Sequence, residues 1–235
     1  MSSSFRPALV VVDFQNDFCP PDGALAVDGG RDIAPTINAL LGLPFILRIA
    51  TKDFHPANHV SFASNHPPPH NKPFESVITV QNPDNPDETQ EVRLWPVHCV
   101  QGTQGSELIS EFKASKCDHI IEKAQDARVE MYSAFAAPFS KPQIAVSALT
   151  DILKDSGVTH VYTVGLAYDY CVKYTAIDSA KAGFVTYLLK DASKAVHQDD
   201  AEAMRAVDEE MRKHGVHIIT SDSKEVDRVR SLTSS

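Results

Sequence analysis

No stretch of the sequence approaches the roughly 18 consecutive apolar residues that a membrane span requires, and the opening Met1-Ser-Ser-Ser-Phe-Arg-Pro7 has no apolar core of a secretory signal. We therefore expect a soluble protein of the cytoplasm, with the nucleus also open to it, and no membrane partner. Only four cysteines occur in 235 residues, Cys19, Cys99, Cys117 and Cys171, and none forms a short paired spacing. Their scarcity argues against a disulfide framework or a structural zinc knuckle and favours reduced thiols. Basic clusters are missing as well. With 22 Lys and Arg against 31 Asp and Glu, a formal charge of −9 repels phosphate backbones, so no nucleic-acid partner is expected. There is no repeat and no low-complexity tract.

What remains is 43% apolar content in a length that suits one compact domain spanning residues 1–235. Strand-like apolar runs at residues 8–12, 45–50, 119–122, 158–164, 184–189 and 216–220 alternate with helical patterns at 33–41, 144–155, 171–182 and 199–214. Such alternation predicts an α/β fold, a parallel sheet with helices on both faces. In that architecture functional groups gather beyond the carboxyl ends of the strands. Residues 56–96 break the pattern with eight of the 15 prolines and read as a long Pro/His-rich loop insertion. The tail from Ser231 to Ser235 reads as frayed.

Cys171 follows the run that ends at Gly165 and opens a helical pattern. A thiol at a helix N-terminus is biased toward thiolate by the unpaired amides there, and would take alkylating reagents ahead of the other three. The bland alternative is a buried structural cysteine. Asp13, preferred over Asp17, follows the first strand, and Lys123 closes the third; alone, each suits a capping aspartate or a surface lysine. Together they make a nucleophile, a base and an electrostatic anchor. Asp53 and His55 lie two apart at the end of the second strand, and His98 would complete three ligands of an open catalytic metal site. Hydrogen-bonded or surface residues are the alternative. His59, His66 and His70 are rival ligands but read as solvated loop histidines.

The motifs Asp13-Phe-Gln-Asn-Asp-Phe18, Thr51-Lys-Asp-Phe-His55, Leu94-Trp-Pro-Val-His-Cys-Val-Gln-Gly102, Glu122-Lys123, Tyr132-Ser-Ala-Phe135 and Gly165-Leu-Ala-Tyr-Asp-Tyr-Cys171 together resemble the fungal-type nicotinamidases of the isochorismatase-like cysteine hydrolase family. The likeness runs from about residue 6 to about residue 220. It implies a Rossmann-like, doubly wound six-stranded parallel sheet and hydrolysis of nicotinamide to nicotinate and ammonia, a step of NAD salvage. Carried onto this chain, it makes Asp13, Lys123 and Cys171 the catalytic triad and Asp53, His55 and His98 the ligands of Zn²⁺, with Fe²⁺ or Mn²⁺ as alternatives. It also implies a cis peptide at Leu166-Ala167 and an oxyanion hole from the amides of Ala167 and Cys171. Phe18, Trp95, Tyr132 and Tyr170 would line the ring, and Glu130 would orient metal-bound water. Two positions depart from the family: Ala124 stands where glycine is usual, and Phe54 where tryptophan is frequent. Competing functions are hydrolysis of pyrazinamide-like or carbamoyl amides and a non-catalytic binding protein on the same fold; oligomeric state is open, a homo-oligomer included.

Overall fold

The fold is seen in a computed structural model, which describes residues 5–232. Eight strands are present among the described residues: β1 (Pro7–Val12), β2 (Leu47–Asp53), β3 (Val77–Asn82), β4 (Asn85–Arg93), β5 (His119–Lys123), β6 (His160–Leu166), β7 (Val185–Lys194) and β8 (Val216–Ile219). Six of them form one sheet in the order β5-β2-β1-β6-β7-β8, parallel at every pairing. This is the α/β sheet expected from the alternating pattern.

β1 is buried along its whole length because both faces of the sheet are covered. Leu9 and Val11 point toward α1 (Ala34–Leu40) and α5 (Lys224–Arg230), packing with Ile37, Val226 and Val229. Ala8, Val10 and Val12 face α2 (Leu149–Asp155), α3 (Lys173–Lys181) and α4 (Ala201–Lys213), packing with Leu149, Leu153, Ile177 and Met211. Each such fully buried aliphatic side chain contributes about 1.5–3 kcal/mol, so the two layers stabilise the scaffold well beyond what short helices could alone.

The chain winds outward from β1 through β2 to β5, then returns to the other side of β1 as β6. The crevice of this doubly wound sheet therefore opens where β1 and β6 end side by side. Gly165 permits that neighbourhood. It pairs with Val12, has φ +117, and a Cβ there would sit 2.1 Å from the Val12 carbonyl oxygen.

Several boundaries differ from expectation. The 56–96 stretch contains the β3–β4 antiparallel hairpin, whose Val80 and Val92 pack on Val129, Met131 and Phe139. Its prolines concealed the alternation, yet Pro83 sits between the two strands, where the Asn82 side chain accepts the Asp84 amide. Glu88 docks the hairpin onto the 138–143 segment, accepting from Asn82, the Ser140 amide and hydroxyl, and the Lys141 amide. Residues 144–147 are not helical: Ala145 has φ +48, Ala136 and Val146 form an antiparallel bridge, and Ser147 Oγ accepts the Leu149 amide at the start of α2. At the tail, the Ser231 and Leu232 amides still hydrogen-bond back to Asp227 and Val229, while Thr233, Ser234 and Ser235 lie outside the described residues.

Candidate active site

Cys171 does not open an α-helix. Tyr168–Val172 form a single π-helical turn between β6 and α3, and the Leu166–Ala167 peptide before it is cis. The Tyr170 and Val172 amides both donate to the Ala167 carbonyl, which fixes the backbone on either side of the Cys171 amide. The thiol itself is 5% exposed. Burial pushes it well above the ordinary range, Lys123 opposes this, and Asp13 and Asp53 reinforce it. These surroundings favour the thiol over the dipole-stabilised thiolate expected from the sequence, and preferential alkylation does not follow from them.

The structure brings Asp13, Lys123 and Cys171 together. Lys123 Nζ lies 3.0 Å from Asp13 Oδ2, 2.5 Å from Asp53 Oδ1 and 3.6 Å from Cys171 Sγ, and donates to the Met131 carbonyl at 3.0 Å. Burial alone would discharge this ammonium. Two carboxylates outweigh it and hold Lys123 well above its usual range. The same balance divides the carboxylates: burial raises Asp13 to about 6 despite Lys123, whereas Lys123 and His55 overcome burial at Asp53 and hold it far below the usual range. Asp13 Oδ1 accepts the Thr51 hydroxyl at 2.6 Å, and the Asp13 amide donates to Thr51 Oγ1 at 3.1 Å. Sequence reasoning overlooked Thr51, although it shares the Asp53 face of β2.

Asp53, His55 and His98 also converge, each offering one donor atom within 4.8 Å of the others. Their tautomers suit a cation. His55 Nδ1 faces the Ala124 carbonyl and His98 Nδ1 the Pro96 carbonyl, at 3.1 and 2.8 Å, so each donates there and leaves Nε2 as a lone pair. His55 Nε2 is buried without a hydrogen-bond partner and faces Asp53 Oδ2 at 3.6 Å, a carboxylate that raises the imidazole above its usual range; a metal ion would take the place of that proton between the two. His98 is held neutral, lowered to about 4 by burial and by His55. His59 is fully buried rather than solvated, and both its nitrogens are engaged, by Ser61 Oγ and the Val129 carbonyl. Burial and His55 lower it to about 2. His66 Nε2 is engaged by the Val60 carbonyl, and His70 is exposed. Phe54 lies beneath the Lys52 ammonium, 5.1 Å from ring centroid to Nζ.

One small cavity is lined by Asp53, His98, Cys171 and Ala167 together with Phe18, Trp95, Tyr132, Tyr170 and Glu130. Trp95 donates its indole N–H to the Tyr132 hydroxyl at 3.0 Å and meets Tyr170 edge-on at 4.9 Å, so the aromatic wall is locked as a unit. Glu130 is buried, raised by burial, and accepts the Met131 amide. A larger groove between β4, residues 132–143 and α3 shares Tyr132 but contains neither the thiol nor the three metal-binding donors. It is the smaller cavity onto which the thiol and the Asp53 and His98 donors open.

A profile of the isochorismatase domain matches residues 7–223. The chain belongs to the isochorismatase-domain family. Among its relatives, the nicotinamidase of Acinetobacter baylyi is 41% identical over 94% of this chain and 95% of its own. The crystal structure of the yeast nicotinamidase bound to the inhibitor nicotinaldehyde superposes with a TM-score of 0.84 at 34% identity, covering 91% of this chain and 99% of that one. The pyrazinamidase of Pyrococcus horikoshii, solved in complex with zinc, gives 0.67 at 34% identity, covering 92% and 99%.

Within this isochorismatase-domain chain, left-handed backbone collects around the cavity. Asp13 (φ +47), Cys99 (+46) and Ala124 (+56) are non-glycine residues at positive φ, and each is, or adjoins, one of the convergent side chains. Ala124→Gly should therefore raise stability by about 0.5–1 kcal/mol, relief of the Cβ clash exceeding the added chain entropy. The urea unfolding midpoint checks it; an unchanged or lower midpoint contradicts it.

Proposed function

We propose that this chain is a nicotinamidase, a cysteine amidohydrolase converting nicotinamide and water to nicotinate and ammonia, and that it acts as one hydrolase domain with the hairpin as an insertion. The observation that carries the reading is that a thiol, with a base and an ammonium beside it, faces the same small aromatic cavity as Asp53 and His98. The family and the nicotinamidase relatives support the same substrate.

In this reading Cys171 is the nucleophile and Asp13 the base. At neutral pH Asp13, raised only to about 6, is ionised and the thiol is protonated. As Sγ attacks the carboxamide carbon, its proton passes to Asp13, and Lys123 stabilises the anionic charge whichever atom carries it. The amides of Ala167 and Cys171 would receive the oxyanion, each preorganised donor contributing about 3 kcal/mol. Asp13 then protonates the departing nitrogen, so ammonia leaves and a Cys171 thioester remains. Water deprotonated by Asp13 hydrolyses the thioester, releasing nicotinate and restoring the thiol.

Asp53, His55 and His98 would hold a divalent ion, with Zn²⁺ favoured by two imidazoles and a carboxylate and by the zinc complex of the Pyrococcus relative. Bound there, the ion supplies a Lewis-acidic partner for the ring nitrogen. Phe18, Trp95, Tyr132 and Tyr170 would flank the ring, and Glu130, which lines the same cavity, would orient water held by the ion.

Substrate choice tests the reading. A rigid cavity with the thiol and the ion at fixed places selects an amide whose ring nitrogen is meta to the carboxamide. With zinc-loaded protein, kcat/KM for nicotinamide and pyrazinamide should exceed that for benzamide, picolinamide and isonicotinamide by at least about tenfold, or ~1.4 kcal/mol in transition-state binding. Benzamide turned over as fast as nicotinamide would remove the ring nitrogen from recognition and favour a carbamoyl-amide hydrolase. The base also sets an acid limb. Asp13 must be ionised to act, and its carboxyl is raised to about 6, so kcat/KM should fall below that pH as one proton binds, about tenfold per pH unit. A profile flat down to pH 4.5 argues against Asp13 as the base.

A further inference from the structure

Between Asp13 and Phe18, the side chains of Gln15 and Asp17 reach neither the thiol nor the cavity. Gln15 is fully buried, and its primary amide is used completely. Oε1 accepts the Asp53 amide at 2.8 Å, while Nε2 donates to the Asp53 carbonyl and to the Ser106 carbonyl, both at 2.8 Å. The side chain thus pairs with both backbone groups of Asp53, as a neighbouring strand would. Asp17 does the corresponding work for the other segment. Its Oδ2 accepts the Cys99 amide at 2.7 Å, directly after His98, and its Oδ1 accepts the Ala24 amide at 3.3 Å.

Both attachments fall where the backbone needs holding. Cys99 has φ +46, a conformation a non-glycine residue leaves readily unless its surroundings fix it. The loop carrying it is tied to the end of β2 by the His55 amide donating to the Cys99 carbonyl and the Gln101 amide donating to the His55 carbonyl. Gly105 is packed so tightly on the Asp17 carboxylate that a Cβ there would lie 2.1 Å from Oδ2. The carboxylate therefore has one place to be. Glutamine is likewise the side chain that fits position 15, because a glutamate would turn an acceptor oxygen toward two carbonyls.

We propose that Gln15 and Asp17 are positioning residues for the metal site, a non-ligating jig that sets the spacing between Asp53 and His98 through the backbone. The inference rests on the metal-site reading above and goes beyond it in assigning two residues that touch neither ion nor substrate. A ligand set held only by its own side chains would pay an ordering cost on binding each ion; here residues 15–17 meet that cost during folding. Loss of comparable outer partners weakens metal binding about 10–100-fold.

The test is zinc affinity, measured by competition with a chromophoric chelator on intact wild type, Asp17→Ala, Asp17→Asn, Gln15→Glu and His98→Ala, with thermal unfolding of each metal-free protein alongside. Asp17→Ala should bind zinc at least about tenfold more weakly while its metal-free form still unfolds cooperatively. Asp17→Asn, which keeps an acceptor for the Cys99 amide, should stay within about threefold of wild type. If Asp17→Ala does not fold, Gln15→Glu decides, with the same tenfold loss expected. Wild-type zinc affinity in a folded Asp17→Ala, or in Gln15→Glu in its place, overturns the jig. Wild type without zinc affinity, or His98→Ala with full affinity, would instead overturn the metal site itself.

Discussion

Cys171→Ala should lose nicotinamide hydrolysis by at least about four orders of magnitude while keeping its fold and its zinc. The size of the loss follows from chemistry that no neighbouring group can replace: Asp13 and Lys123 can move a proton and hold a charge, but neither can form the thioester. The stability change should stay within about 1 kcal/mol, because only one buried sulfur atom is removed and Lys123, 3.6 Å from it, keeps both carboxylates. Ammonia release, circular dichroism and zinc content on the same preparation check all three parts. Turnover above about one hundredth of wild type would rule out Cys171 as the nucleophile.

The second large effect is on stability as well as rate. Lys123→Met should cost about 3–5 kcal/mol of folding free energy, since it strands two buried carboxylates around a methionine. The double variant Asp13→Asn with Lys123→Met should recover part of that loss by removing one stranded charge, and saturating zinc should recover more by engaging Asp53. Both enzymes should be inactive. Urea unfolding with and without zinc is the measurement, and a Lys123→Met protein as stable as wild type would mean that the ammonium and the carboxylates are not coupled as their distances require.

Much of this arrangement was legible in the chain. The strand order could not be read from it, but the strand ends could, because a β-branched run followed by Asp13, Asp53 or Lys123 marks where a parallel sheet presents its side chains. Other features were hidden for distinct physical reasons. The hairpin was masked by prolines that occupy its turn and an exposed edge rather than breaking a strand. The π-turn at Cys171 carries the same residue pattern as an ordinary helix start, and only backbone hydrogen bonding separates the two. At Cys171 near-complete burial beside two carboxylates opposes the thiolate more strongly than the helix end favours it, a balance invisible in the local sequence. His59 was read as solvated from its neighbours in sequence, while its neighbours in space are His55, Ser61 and Val129. Thr51, Gln15 and Asp17 act through backbone and carboxylate partners far along the chain, and no local spacing reports those.

Gly165 gives the cavity a mechanical reference. The base follows β1 and the nucleophile follows β6, so the gap between them is gauged by how closely those two strands lie, and at their tips that gap is closed to backbone against backbone. The jaws of this calliper meet on a hydrogen atom. Any side chain at position 165 acts as a shim, spreading Asp13 away from Cys171 without touching either, and the reach of the proton transfer is thereby written into a residue that has no functional group at all.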